Sequence, residues 1–152
     1  MKLRVLGSSG VKVSPICLGT MMFGAQTNEK AAAAIVAMAR DAGINFIDTA
    51  DVYVTGTSER ITGKLISNQR DQWILATKVG GPFGGGGDPN QGGLSRRWIT
   101  HQLEESLRRL RTDYIDIYYF HREDHSTSLE ESLRAIDDAI RAGKIRYFGL
   151  SN

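Results

Sequence analysis

Four residues of types suited to acid–base chemistry fall at, or just past, the ends of apolar, strand-like runs in this 152-residue sequence. The run over residues 44–47 stops at Asp48, with Tyr53 five positions on; the run over 74–77 stops at Lys78; the run over 115–120 stops at His121. Thr20 closes an earlier run, and Ser151 and Asn152 close the last. A phenol with pKa ~10 is a poor proton donor at neutral pH. A lysine ammonium beside it stabilises the phenolate, and an aspartate beside the lysine keeps the lysine charged and oriented. A histidine can hydrogen-bond the same substrate oxygen. Such a set suits proton delivery to a carbonyl oxygen as it becomes an alkoxide. None of the four can supply hydride, so a reduction would need a nicotinamide or flavin. Each residue also has a plainer reading: a turn cap for Asp48, a solvated lysine, a loop histidine. The recurrence of such residues at one strand end after another favours a shared site.

The elements that must position them alternate. Leu3 and Val5, then Val11 and Val13, flank a Gly-bounded turn, which predicts a β-hairpin over residues 2–14. An apolar run over 16–20 predicts a buried strand with Cys17 in the core. Helices are expected over 28–42, 58–66, 95–110 and 128–141. The first would bury Ile35, Met38, Ala39 and Ala42, with Asn28 as N-cap and Gly43 as stop. The third would bury Ile99, Leu103, Leu107 and Leu110. The fourth would bury Leu129, Leu133, Ile136 and Ile140, with Ser128 and Glu131 as a capping box. Strands alternate with these helices, which implies a parallel sheet. In such sheets ligands meet the carboxyl ends of the strands, where Asp48, Tyr53, Lys78 and His121 fall.

The remaining features mostly exclude. Nineteen basic against seventeen acidic residues give a net charge of +2, which argues against nucleic acid or an anionic membrane as partner. One cysteine forms no internal disulfide, which fits a cytoplasmic location. No run reaches the ~18 apolar residues of a membrane span, and the N-terminus lacks a signal-peptide block. His121-Arg122-Glu123-Asp124-His125 matches no zinc-protease spacing, and no metal site is expected. Gly63-Lys64 and Gly143-Lys144 are not followed by Ser or Thr, so there is no phosphate loop of that type. The cations at 108, 109 and 111 end an amphipathic helix and are explained by its dipole. Residues 80–93 contain eight glycines in fourteen, a loop that either is simply mobile or closes over a ligand.

The chain resembles the aldo-keto reductase family along its whole length. The carriers are Gly43-Ile44-Asn45-Phe46-Ile47-Asp48-Thr49-Ala50-Asp51-Val52-Tyr53, the Ala76-Thr77-Lys78 strand end, Tyr118-Tyr119-Phe120-His121, and Gly143-Lys144-Ile145-Arg146-Tyr147-Phe148-Gly149-Leu150-Ser151-Asn152. It looks most like the bacterial and potassium-channel-β-subunit-like branch. The resemblance implies a (β/α)8 TIM barrel plugged by an N-terminal hairpin, of which residues 1–152 would form a single, partial barrel with five parallel strands and four helices. It implies NADPH-dependent reduction of an aldehyde or ketone, with Tyr53 as proton donor, Lys78 tuning it, Asp48 pairing with Lys78 and His121 orienting the carbonyl. Thr20, Met21, Gln26 and Asp48 would line the cofactor, and Ser151 and Asn152 would bind its carboxamide. The choice of NADPH over NADH comes from the resemblance alone. One departure is local: the family often has Gly directly after the tyrosine, and this chain has Val54, followed by Thr55-Gly56.

Strand starts near 16, 44, 73, 115 and 145 imply about 32 residues per unit, so eight units would need roughly 260. The length therefore reads as about five-eighths of a barrel. Two other readings remain. One is a non-catalytic half barrel that needs a self-dimer or a complementary half to cover its edges. The other is a free-standing five-stranded open sheet, which Met21-Met22-Phe23-Gly24 after the first strand and Lys78 after the third oppose.

Overall fold

The computed structural model describes residues 1–83 and 88–151. A two-stranded antiparallel ribbon, β1 (Arg4–Val5) and β2 (Lys12–Val13), precedes the main sheet. Then come β3 (Leu18–Gly19), α1 (Glu29–Asp41), β4 (Phe46–Asp48), α2 (Thr57–Ile66), β5 (Ile74–Val79), α3 (Arg96–Leu110), β6 (Ile115–Phe120), α4 (Leu129–Arg141) and β7 (Ile145–Leu150). A 3-10 segment, Ser67–Gln72, links α2 to β5. The five strands β3 to β7 are all parallel and lie in sequence order. That order is the one a barrel needs; an open doubly wound sheet reverses direction at a switch point.

The sheet's two faces differ. Successive residues of a strand point to opposite faces. One set, including Ile47, Leu75, Val79, Tyr118 and Phe120, is buried beneath the helices. Each large apolar side chain so buried contributes roughly 1.5–3 kcal/mol. The other set, in register as Asp48, Ala76, Ile117 and Tyr147, forms the concave face. The ribbon is tied to the start of β4 through Asn45, whose Oδ1 accepts from Ser14 N at 2.7 Å and whose Nδ2 donates to Lys12 O at 3.0 Å.

The expected elements are present, with four corrections. The strand expected over 16–20 is only two residues long, and Cys17, expected in the core, is exposed, because β3 is an edge strand. In α1 the buried stripe is Ala32, Val36 and Ala39, whereas Ile35 and Met38 are exposed. In α4 the buried residues are Ser132, Ala135, Ile136 and Ala139, whereas Leu129, Leu133 and Ile140 are exposed. Both helices cover the edges of the sheet and have a helix neighbour on one side only, so their apolar stripes wrap beyond the buried face. The capping box at α4 is half made: Ser128 Oγ accepts from Glu131 N, but the Glu131 carboxylate accepts from Arg96 N instead. By contrast, Ile99, Leu103, Leu107 and Leu110 of α3, which has helices on both sides, are all buried as expected. Of the glycine-rich loop, residues 84–87 lie outside the described residues.

Candidate active site

Lys78 is the centre of the site. It is the penultimate residue of β5 and points to the concave face, in register with Tyr119. Its side chain is only 8% exposed, so its charge must be compensated locally. Nζ donates to the Asp48 carboxylate, to Thr49 O at 2.7 Å and to the Tyr53 hydroxyl at 3.3 Å. An ammonium has three hydrogens, and three acceptors surround it. The register explains the meeting: Asp48 ends β4 beside Ala76, two residues before Lys78 on the same face of β5.

Tyr53 reaches Lys78 through a tightly folded loop. Thr49 N donates to Ala76 O and Asp51 N donates to Lys78 O, so the loop first runs along β5. It then turns through Val54, Thr55 and Gly56, with φ of 49°, 51° and 80°. Val54 and Thr55 are β-branched, and each left-handed residue of that type costs about 1–3 kcal/mol. Ser58 offsets this cost. Its backbone N–H donates to Tyr53 O. Its buried hydroxyl donates to Thr20 O at 2.7 Å and meets the hydroxyls of Thr20 and Thr49 at 2.9 and 3.0 Å.

His121 directly follows β6, and its N–H donates to Val79 O at 2.8 Å. Its ring meets the Tyr53 ring edge-on, with centroids 5.7 Å apart and planes at 84°. Burial, with the charges of Lys78 and Arg122, holds its pKa below the ordinary value, so the imidazole is neutral at pH 7. Tyr53 thus contacts both an ammonium and an imidazole. Of the other expected site residues, Thr20 is fully buried with its hydroxyl committed to Asp48 O and Ser58. Met21 and Gln26 are exposed on the loop after β3. Ser151 is half-buried just past β7, donating through its N–H to Phe120 O. Asn152 lies outside the described residues.

Behind the rim lies a buried polar cluster that the sequence pattern alone does not single out. Glu59 of α2 accepts from Arg109 Nε at 2.6 Å and from Thr77 Oγ1 at 2.6 Å. Arg109 Nη2 also donates to Gln102 Oε1 and Ser106 Oγ. Arg109 is therefore a buried pairing residue, not the exposed dipole partner expected at a helix end. A signal was present: Gln102, Ser106 and Arg109 are spaced by four and three on the helix that buries Leu103 and Leu107. Asp51 is also fully buried, and burial, then Glu59, pushes its pKa up to about 8. The exposed edge residue Cys17 is chemically damped, because desolvation and Asp48 push its thiol up to about 12. Among the described residues no group of three or more His, Cys, Asp or Glu could hold a metal ion.

Known proteins share this arrangement of chain. The model of the Aldo/keto reductase family matches residues 15–152. An uncharacterized oxidoreductase of Bacillus subtilis, YrpG, is 42% identical over all of this chain and 49% of its own length. A probable voltage-gated potassium channel subunit beta of Arabidopsis thaliana is 41% identical over 99% of this chain and 46% of its own. The solved structure of aldo-keto reductase AKR11C1 from Bacillus halodurans, in its holo form, superposes with a TM-score of 0.89 at 39% identity, over 99% of this chain and 50% of that one. The chain spans about half the length of the relatives it matches.

Proposed function

This chain belongs to the aldo/keto reductase family, and on that premise we propose that it carries the proton-delivering half of an NADPH-dependent oxidoreductase that reduces an aldehyde or ketone to the alcohol. The observation that carries the reading is the single buried ammonium of Lys78 shared among Asp48, Thr49 O and the Tyr53 hydroxyl. Tyr53 donates its proton to the carbonyl oxygen. Lys78, already donating to the phenol oxygen, stabilises the phenolate left behind. Asp48 keeps Lys78 charged and aimed. The neutral His121 offers an N–H to the same oxygen and adds no second positive charge beside Lys78.

The donor set fits a nicotinamide: a partly exposed carboxylate at Asp48, a small hydroxyl at Ser151 and an apolar surface at Met21 border one rim. These residues, with Gln26 and Asn152, are the ones we assign to holding it; Thr20, expected among them, is fully buried with its hydroxyl committed to Asp48 O and Ser58 and is not placed to touch it. When bound, the reduced nicotinamide supplies the hydride. The cofactor and the small carbonyl compound are then the partners, with neither nucleic acid nor membrane required. The near-balanced charge and the single cysteine support that reading and a cytoplasmic location. No helix among the described residues is long and apolar enough to cross a membrane.

The test is turnover by the full protein. Loss of reduced-nicotinamide absorbance with NADPH and a panel of small aldehydes and ketones supports the reading; no turnover with any of them, or with NADH, opposes it. A second reading is favoured by the exposed Leu129, Leu133 and Ile140 of α4 and Ile35 and Met38 of α1. In it residues 1–152 form a half barrel whose core is completed by a second copy or a complementary half. Sedimentation of the 152-residue chain tests this: a monodisperse, cooperatively unfolding monomer counts against it.

A further inference from the structure

Asp51 stands in the loop between Asp48 and Tyr53, is fully buried, and has no cation of its own. Its Oδ1 accepts from Val52 N at 2.8 Å, and its Oδ2 has no hydrogen-bond partner. The two nearby cations serve other groups. Lys78 gives its hydrogens to Asp48, Thr49 O and Tyr53, and Arg109 gives Nε and Nη2 to Glu59, Gln102 and Ser106. A buried carboxylate without a cation is strongly disfavoured relative to the neutral acid. The groups facing Asp51 come from every element packed against it: Glu59 from α2, Arg109 from α3, Lys78 from β5 and Tyr118 from β6. Glu59, fully buried, is bonded to Arg109.

We propose that Asp51 is a positioning residue that works as an uncharged carboxylic acid. It sits in the loop that carries Tyr53, tied to β5 by its N–H to Lys78 O, and by staying neutral it leaves the Lys78 ammonium to Asp48, Thr49 and Tyr53. Once ionised, Asp51 attracts both nearby cations, Arg109 and then Lys78, and the pull on Lys78 weakens its hold on the phenol oxygen. The displaced pKa of Asp51, about 8, places that change on the alkaline side of neutrality. The inference rests on reading Tyr53 as the acid of the site, but its test involves no turnover.

The test is a carbon-13 titration of the full protein labelled at Asp Cγ and Tyr Cζ. The Asp51 Cγ resonance is expected to move with a midpoint of about 8. The Tyr53 Cζ resonance is expected to move with the same midpoint, and that movement to vanish in Asp51→Asn, which mimics the neutral acid. A purely structural Asp51 would leave Tyr53 Cζ still across that titration. The proposal is overturned if Asp51 Cγ already has the carboxylate shift near pH ~6, well above the ordinary aspartate pKa of ~3.9. It is also overturned if Tyr53 does not follow Asp51. Should Asp51→Asn fail to fold, assigning both resonances in the unmodified protein decides between these outcomes. The titration is equally decisive in a protein that reduces no carbonyl compound, so its failure and the failure of the proposed activity are distinguishable.

Discussion

The Lys78 ammonium lies 3.3 Å from the Tyr53 hydroxyl and 4.9 Å from the centre of the same ring, so it meets the phenol by its oxygen and by its face at once. Both contacts favour electron density on the phenol, which is what a proton donor needs as it becomes an anion. The contact depends on a short strand, a strained turn and a buried serine, and on helices that hold all three from behind.

Arg109 and Glu59 tie α3 to α2 beneath the Tyr53 loop. Arg109→Met leaves Glu59 buried without its cation, and a loss of about 3–5 kcal/mol is expected in chemical denaturation. Adding Glu59→Leu to that variant recovers part of the loss, because no buried charge is then left unpaired. A double variant at least as unstable as the sum of the two singles would contradict the pairing.

Gly63 lies against the backbone at the end of α3. A Cβ there would stand 2.4 Å from Leu110 O and 2.5 Å from its carbonyl carbon and Cα. Backbone cannot rotate away as a side chain can. Gly63→Ala is therefore expected to cost at least the ~1–3 kcal/mol typical of overpacking, despite the better helix propensity of alanine. A thermal midpoint equal to or above that of the unmodified protein would show that the helices are not in this contact.

Asp124 fastens the loop after β6 to the start of α3. Desolvation pushes its pKa up, but hydrogen bonds from Ser126, Leu94 and Thr127 outweigh that and hold it far below the ordinary carboxylate range. A depressed pKa in the folded state means stability that is present above the unfolded value of ~3.9 and is lost as pH falls below it. Denaturation midpoints should therefore fall on acidification below pH ~4, and the slope should be shallower in Asp124→Asn. Equal slopes would show that Asp124 carries none of this acid sensitivity.

Cys17 is exposed, yet its thiol is pushed up to about 12 by desolvation and by Asp48. Because the thiolate is the nucleophile, alkylation at neutral pH should be much slower than for a free thiol of pKa ~8.5. Lys78→Met removes the one nearby charge that favours the thiolate and should slow it further. Labelling of Cys17 as fast as a model thiol would contradict this environment.

Much of this arrangement is legible in the sequence because it is local. Apolar runs ending in Asp48, Lys78 and His121 place those residues at strand ends, and sequence order along the sheet then brings them together. The α3 stripe is legible because helices flank it on both sides. What the sequence conceals depends on partners far along the chain. The buried Arg109 meets Glu59 fifty positions earlier, and its type and helix-end position suit solvent equally well. The outward faces of α1 and α4, and the exposure of Cys17, follow from lying at the edge of the sheet, which no local pattern encodes. The left-handed turn at Val54 and Thr55 is hidden too, since neither residue type favours it.

The central claim is that Tyr53 is the proton donor, and Tyr53→Phe in the full protein tests it most directly. The variant loses one hydroxyl, and a fall of about 10²- to 10⁴-fold in turnover of the carbonyl compound is expected. Unfolding temperature and reduced-nicotinamide binding should stay close to those of the unmodified protein. Full turnover in Tyr53→Phe would contradict the claim.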